Sequence, residues 1–141
     1  MLLAPIFFTI VPPLHPKIPL VDLAFEVKRQ IVVDQEIGQY LGHPTTCLLE
    51  DGQTVLCVYP KGHGKGGIVY KRSTDGGMTW SDRLPTPKNW ATSREVPTLH
   101  RIDDPVEGGK RLLMFSGLAP TRMASSDDDG QGWTEFEPVG D

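Results

Sequence analysis

The sequence has few cysteines, no dense basic cluster and no long apolar run. Its 14 lysines and arginines are dispersed among 18 acidic residues, for a net charge of −4, which argues against a nucleic-acid partner. None of its apolar runs reaches the roughly 20 residues of a transmembrane helix. No segment keeps the apolar period of about 3.6 residues that marks an amphipathic helix, so an α-helical fold is not expected.

The sequence also lacks the usual signatures of metal and cofactor sites. It contains no C-x-x-C motif, no nucleophile elbow and no phosphate-binding loop, and its 4 histidines show no metal-ligand spacing. We therefore predict no cofactor and no metal. The two cysteines, Cys47 and Cys57, fall on neighbouring predicted strands. A disulfide stays open, but we favour two small buried thiols, because cysteine is often buried without pairing.

The first 20 residues form a segment of their own, apolar and interrupted by prolines. They lack the basic region that opens a secretory signal. A degenerate signal peptide, a disordered segment and an arbitrary gene-model start all stay open. The first of these would place the protein in an extracellular or periplasmic compartment, and the sequence leaves the localisation undecided.

Turn-forming residues are abundant, with 15 glycines and 13 prolines between short apolar runs, which predicts short strands and many turns. The pattern S-x-D-x-G-x-x-W occurs twice, and the second copy begins 53 positions after the first (residue 126 against residue 73). The same offset relates other pairs along the chain, such as Pro44 with Pro97 and Asp51 with Asp104. The repeated unit is therefore a whole supersecondary element.

Each repeat contains four short runs with the composition of β-strands. The runs of the first repeat are 44–49, 54–59, 67–73 and one that starts near Trp80. The runs of the second repeat are 96–102, 111–117, 121–126 and 133–138. Four antiparallel strands repeated at this period are typical of a propeller blade. We predict an all-β domain over 21–141 with blades at about 40–90 and 93–141, and an additional outer strand within 21–36.

The doubled motif has the chemistry of a fastened turn. Its aspartates can accept hydrogen bonds from turn amides, its glycines can adopt positive φ, and its tryptophans can cover the sheet. The aspartates could instead be catalytic carboxylates or metal ligands. We favour the structural role, because a repeated residue usually serves the architecture. The motif residues are Ser73, Asp75, Gly77 and Trp80 in the first copy and Ser126, Asp128, Gly130 and Trp133 in the second.

Both copies resemble the Asp-box of sialidases (neuraminidases) and related BNR-repeat proteins, and the resemblance covers about 40–141. It implies a six-bladed β-propeller and a carbohydrate ligand. A ring needs at least about four blades, so we expect the chain to be part of a longer protein, with the partner blades elsewhere in that protein. By itself the chain is expected to show no turnover.

The order of antiparallel strands divides the loops between two sides of each sheet. The Asp-boxes share one side with the turns between first and second strands. The other side gathers the starts of the first strands and the loops between second and third strands. In the first repeat these are 42–44 and 61–67, and in the second they are 93–95 and 118–120, followed by Arg122.

That second side holds the candidate site. Lys61, His63 and Lys65 alternate with glycines, and two ammonium groups with an imidazole suit a carboxylate or sulfate on a sugar. A solvated mobile loop is the alternative. His43, which we expect to be held extended by the following proline, is a catalytic candidate together with His63, or else a buried, hydrogen-bonded histidine. The further substrate-binding candidates are Arg94 and Glu95, which could instead pair with each other.

The resemblance departs from sialidases at the site itself. The family's first arginine comes from a tetrad that aligns with 41–44, where Gly42 stands in its place, and the loop 61–67 contains no acid for the family's acid/base role. Three functions stay open: an enzyme on acidic or decorated glycans that acts by hydrolysis or elimination, a non-catalytic glycan-binding or scaffold propeller, and a conventional exo-sialidase completed by other blades. We favour the first, a glycosidase-like enzyme with His43 or His63 as general acid/base.

Overall fold

The computed structural model describes residues 18–117 and 119–140 and shows an all-β protein with two antiparallel sheets. The first sheet has the order β1-β2-β3, with strands Thr45–Leu48, Val55–Pro60 and Ile68–Ser73. The second has the order β4-β5-β6-β7, with strands Thr98–Asp103, Lys110–Ser116, Arg122–Ser126 and Glu137–Pro138. Short 3-10 helices span Val27–Arg29 and Lys88–Thr92.

The chain divides into two compact units, residues 1–30 and 31–141, and both sheets belong to the second unit. Most of the predicted N-terminal segment, residues 1–17, lies outside the described residues, so its alternatives stay predictions. Across the described ranges, no helix has the length and apolar character needed to cross a membrane.

The first three predicted runs of each repeat are strands whose ends lie within two residues of the predicted ones. The prediction of a full fourth strand is wrong for the first repeat. There, Ser81 N and Leu84 N donate to the carbonyls of Arg72 and Tyr70 at 2.9 and 2.8 Å, and the ladder ends at Pro85, which has no amide hydrogen. In the second repeat the fourth strand shortens to the two residues of β7.

The strand predicted within 21–36 is also absent. Val27–Arg29 form a 3-10 turn, and residues 31–36 are irregular. For residues 31–36 the physical reason is their position on the first sheet: Val33 packs on the face of that sheet, where no strand edge offers a hydrogen-bond ladder.

The two sheets share one apolar core. Strand alternation turns Leu56, Val58 and Tyr70 of the first sheet toward Leu112 and Met114 of the second, and all five side chains are buried. Strands β1 and β4 are neighbours across this junction, where the Thr45 hydroxyl donates to the Pro97 carbonyl at 2.9 Å. Burial of these aliphatic and aromatic side chains provides the main stabilisation of the pair of sheets.

Register decides the state of the cysteines. Cys47 is paired with Leu56, whereas Cys57 is paired with Thr46, so the two side chains lie on opposite faces of the sheet and cannot form a disulfide. Both thiols are free, Cys57 buried and Cys47 half-buried. Burial raises the pKa of the Cys57 thiol to about 11, which keeps it protonated and unreactive.

The turn of the second repeat packs against the first sheet. The Tyr70 hydroxyl donates to the Gly130 carbonyl at 2.7 Å, and Arg72 Nη1 donates to the Asp129 carbonyl at 2.8 Å. The Trp133 ring meets Tyr70 edge-on with 6.2 Å between ring centroids. These contacts make the second motif part of the junction between the sheets, in addition to its role within its own sheet.

Residues 31–41 cover the opposite face of the first sheet. Val33 and Leu41 pack on Cys57, Tyr59 and Val69. A polar cluster fastens the same segment, and its central group is the carboxylate of Asp34.

Asp34 accepts a short hydrogen bond from the Tyr59 hydroxyl and another from Arg83 Nε at 2.7 Å. Desolvation raises the pKa of Asp34, but hydrogen bonds from Arg83, Tyr59 and the Gln35 amide outweigh it and lower the pKa to about 2. The ionised carboxylate therefore stabilises the position of the 31–41 segment.

The two motif glycines allow a matched test of the sheet junction. Both have positive φ, +90° at Gly77 and +79° at Gly130. A Cβ on Gly130 would lie 2.6 Å from the Tyr70 hydroxyl and 2.8 Å from Leu56 Cδ1, whereas the nearest atom to a Cβ on Gly77 is Trp80 Cζ2 at 3.7 Å.

We expect Gly77→Ala to lower the free energy of unfolding by about 1–3 kcal/mol through backbone strain alone. Gly130→Ala should lower it by a further 1–3 kcal/mol, roughly, through overpacking. Urea denaturation of both variants measures the difference, and equal losses would show that the turn does not pack against the first sheet as described.

The Asp34 cluster predicts a loss of stability in acid. Because the folded-state pKa of about 2 lies below the unfolded value of 3.8, the stabilisation is complete above about pH 4 and is lost as the pH falls toward 2. Asp34→Asn should lower the free energy of unfolding by about 2 kcal/mol at neutral pH and flatten the dependence between pH 4 and 2. Denaturation across that range measures it, with Asp82→Asn as the exposed control. An unchanged pH profile in Asp34→Asn would contradict the assignment.

Candidate functional site

Both S-x-D-x-G-x-x-W motifs form the same hydrogen-bonded turn. Ser73 Oγ donates to Asp75 Oδ1 at 2.8 Å and accepts from Gly77 N at 2.9 Å. In the second copy the equivalent serine, aspartate and glycine, at positions 126, 128 and 130, have the same two bonds at 2.8 and 2.9 Å. The same hydrogen-bond pattern occurs at the same place in both sheets, which is typical of a structural element.

The motif aspartates are occupied by their own turns. Hydrogen bonds from the Thr79 hydroxyl and amide and from Ser73 lower the pKa of Asp75 to about 2. The Gly132 amide is the main cause of the lowered pKa of Asp128. A carboxylate stabilised in its ionised form by neighbouring donors is a poor general acid at neutral pH.

The tryptophans of the two turns differ in their polar contacts. Trp80 Nε1 donates to the Gly77 carbonyl at 3.0 Å. Trp133 Nε1 is buried and has no hydrogen-bond partner among the described residues. The Trp133 ring also meets Trp90 edge-on at 5.6 Å between centroids, so aromatic packing between the sheets fixes its position.

On the opposite side of the first sheet, two histidines 20 residues apart in sequence come together. His43 Nε2 and His63 Nδ1 are 3.4 Å apart, and the ring centroids are separated by 4.8 Å. The ring of Tyr40 lies 5.6 Å from His63 and 6.4 Å from His43, centroid to centroid. All three side chains are exposed, so the cluster is open to a ligand.

The backbone before β1 is built around this cluster. A Cβ on Gly42 would lie 2.0 Å from Cε1 of Tyr40, so the tyrosine ring fills the space next to that glycine.

The expectation that Pro44 holds His43 extended is wrong, because His43 has a φ of +54° in the left-handed region. The alternative of a buried His43 is also wrong, since its side chain is exposed. A non-glycine residue with positive φ costs about 1–3 kcal/mol and persists where its surroundings fix it, often at functional sites.

The loop 61–67 is folded tightly on itself and against the start of the second repeat. Lys61 N donates to the Gly67 carbonyl at 2.9 Å, and Gly66 N donates to the Ser93 carbonyl at 3.2 Å. Cβ atoms on Gly62 and Gly66 would lie 2.4 and 2.6 Å from carbonyl oxygens of the same loop. The glycines therefore allow the compact loop conformation that positions His63.

The charged candidates have different surroundings. Lys61 is paired with Glu36 at 3.0 Å, whereas Lys65 is exposed. Among the described residues Arg94 and Glu95 do not form the ion pair that was one interpretation of the sequence; Glu95 Oε1 instead accepts a hydrogen bond from Val96 N at 2.8 Å.

Arg94 lines a cleft of about 360 Å³ together with Arg122, and the remaining lining residues are Thr92, Gly117, Ala119 and Pro120. Arg122 donates from Nη2 to the Thr92 carbonyl at 3.4 Å, and its guanidinium lies 5.1 Å above the Phe136 ring. The two guanidinium groups of the cleft have no carboxylate partner in the described ranges. The cleft is therefore suitable for binding an anion.

Sequence reasoning assigned Arg122 to this side without giving it a role and did not select Tyr40, Glu36 or Arg83. Arg83 donates to the carboxylates of both Asp34 and Glu36. These contacts join positions nearly 50 residues apart, and no local spacing in the sequence indicates them. Only the folded chain reveals that the acidic side chains of 31–41 are used to hold that segment.

Comparison with known proteins finds no family model, no curated protein and no solved structure that matches this chain.

Proposed function

We propose that the two sheets are consecutive blades of a sialidase-like, Asp-box (BNR-repeat) β-propeller that is six-bladed when complete. The observation that carries this proposal is the repeated serine–aspartate–glycine turn, with one hydrogen-bond pattern in both sheets. The side-by-side placement of β1 and β4 supports it, because the first strands of neighbouring blades line the axis of a propeller.

We propose further that the side opposite the Asp-boxes binds an acidic or decorated glycan. On the Asp-box side, Arg111 pairs with Asp104 at 3.1 Å and with Asp127 at 2.6 Å. On the histidine side, Lys65 and Arg94 have no carboxylate partner among the described residues. Unneutralised cations around a concave surface attract anions, so carboxylate or sulfate groups of a sugar suit this side.

The reaction class that this site supports is glycosidase-like chemistry, by hydrolysis or by elimination beside a uronate. His43 and His63 are the general acid/base candidates, because an imidazole changes protonation near neutral pH and both rings are exposed to a ligand. The family's usual arginine has no counterpart at the aligned position, which is Gly42, and the Tyr40 ring occupies the space beside that glycine. A conventional exo-sialidase would therefore need that arginine from another blade.

A second candidate function is glycan binding without turnover. One observation favours it: no carboxylate in the described part of the chain is hydrogen-bonded to either imidazole, and Glu95 Oε1 is occupied by a backbone amide. The two functions separate in a polypeptide that joins this chain to further blades. If the propeller is an enzyme, that polypeptide should release sugar and His43→Ala should abolish the release. If the propeller only binds, the unaltered polypeptide should bind the glycan and release no sugar.

Ligand binding by the chain itself tests the charged side. We expect an acidic oligosaccharide to shift NMR signals of residues 61–67 and 92–95, and Arg94→Ala to weaken that binding because it removes an unpaired guanidinium from the cleft. Binding should also weaken as salt is added, since exposed charges are screened. Titrations with uronate-containing, sulfated, sialylated and neutral oligosaccharides identify the recognised group.

Arg101→Ala is the matched control, because Arg101 is an exposed arginine on β4 without a carboxylate partner in the described ranges. It should bind like the unaltered chain. Equal binding by Arg94→Ala, or equal affinity for neutral and acidic oligosaccharides, would remove the anionic glycan from the proposal.

A further inference from the structure

We propose that His43 and His63 form a binding site for one divalent transition-metal ion, and that the ion bound in the cell is Zn²⁺. The inference rests on the geometry of the two rings and does not depend on glycan binding. It competes with the acid/base role of the same histidines, because a ring nitrogen that binds a metal cannot carry the transferred proton. Failure of glycan binding would leave the metal site standing, and failure of the metal site would leave glycan binding standing.

The separation of the two ring nitrogens suits a shared metal. His43 Nε2 and His63 Nδ1 are 3.4 Å apart. Two nitrogen ligands of a tetrahedral zinc, each at about 2.0–2.1 Å from the ion, are separated by roughly 3.3 Å. The distance between the nitrogens therefore matches that of two ligands of one ion, and a small rotation of the rings would direct both lone pairs at it.

The backbone at both histidines has a defined conformation before any ligand arrives. His43 is fixed in a left-handed conformation next to Gly42, over which the Tyr40 ring packs. His63 lies in the 61–67 loop, which is closed by its own backbone hydrogen bond and tied to Ser93 by another. Prepositioned ligands reduce the ordering cost of binding a metal.

The two lysines of the loop differ in their effect on a bound cation. The ammonium group of Lys61 is neutralised by Glu36 at 3.0 Å, whereas Lys65 has no carboxylate partner among the described residues, so its charge favours a metal that binds together with an anion. Both imidazoles are exposed, so water can complete the coordination shell and the remaining positions are open to oxygen ligands. Imidazole nitrogens are good ligands for Zn²⁺, Cu²⁺ and Ni²⁺.

Sequence spacing gave no sign of this site, because 20 residues and a strand pair separate the two histidines. Within the described ranges, no group of three or more His, Cys, Asp or Glu side chains surrounds a common point. The site is therefore a two-histidine site whose other ligands come from water or from a bound anion.

Titration of the 141-residue chain with ZnCl₂, followed by calorimetry and by imidazole NMR signals, tests the site. We expect one Zn²⁺ per chain. Both His43→Ala and His63→Ala should lose that binding. Because both side chains are exposed, each variant should keep the near-UV circular dichroism of the unaltered chain. His100→Ala and Cys47→Ser are the controls and should keep full binding. His15 is intact in every variant, so it cannot account for a loss.

Electron paramagnetic resonance of the Cu²⁺-loaded chain gives a test that needs no variant. The expected signal shows two imidazole nitrogens bound to one copper ion. A single nitrogen, absence of Zn²⁺ binding, or binding that survives in either His43→Ala or His63→Ala would overturn the inference.

Discussion

The packing of the second S-x-D-x-G-x-x-W turn onto the first sheet is the contact on which the rest of the structure depends. The Gly130 carbonyl accepts a hydrogen bond from the Tyr70 hydroxyl, and a Cβ at this position would lie 2.8 Å from Leu56 Cδ1, so there is no space for a side chain. Close packing of this kind transmits position, because a change at Gly130 must displace the side chains of the first sheet that it contacts. The turn therefore does two things: it closes a hairpin in its own sheet and fixes the neighbouring sheet relative to it.

The candidate site depends on that junction from the other side of the sheets. The loop 61–67 is anchored through Gly66 to Ser93, which belongs to the start of the second repeat. Ser93 in turn lies 2.5 Å from Ser116, hydroxyl to hydroxyl, at the end of β5. His63 is thus positioned by both sheets, although it belongs to a loop of the first one. A site assembled from both repeats is sensitive to changes in their packing, even far from its own residues.

The first sheet has two covered faces of different kinds. One face packs on the second sheet through aliphatic and aromatic side chains. The other is covered by residues 31–41, whose attachment combines Val33 and Leu41 with the Asp34 cluster. The apolar contacts provide nondirectional stabilisation, whereas the ionised carboxylate with its donors fixes one position of the segment. The same segment contains Tyr40, so this attachment also positions the aromatic side of the histidine cluster.

The sequence by itself determined the all-β class, six of the seven strands and the existence of a repeat, because alternation, turn residues and an offset of 53 positions are local or periodic signals. It placed His43 and His63 on one side of the sheet through strand order alone. Only the tertiary structure decided that the two rings meet, that Cys47 and Cys57 face apart, and that Asp34 binds Arg83. These outcomes depend on register, on backbone conformation at single residues and on contacts between distant segments, which no local pattern of residue types encodes.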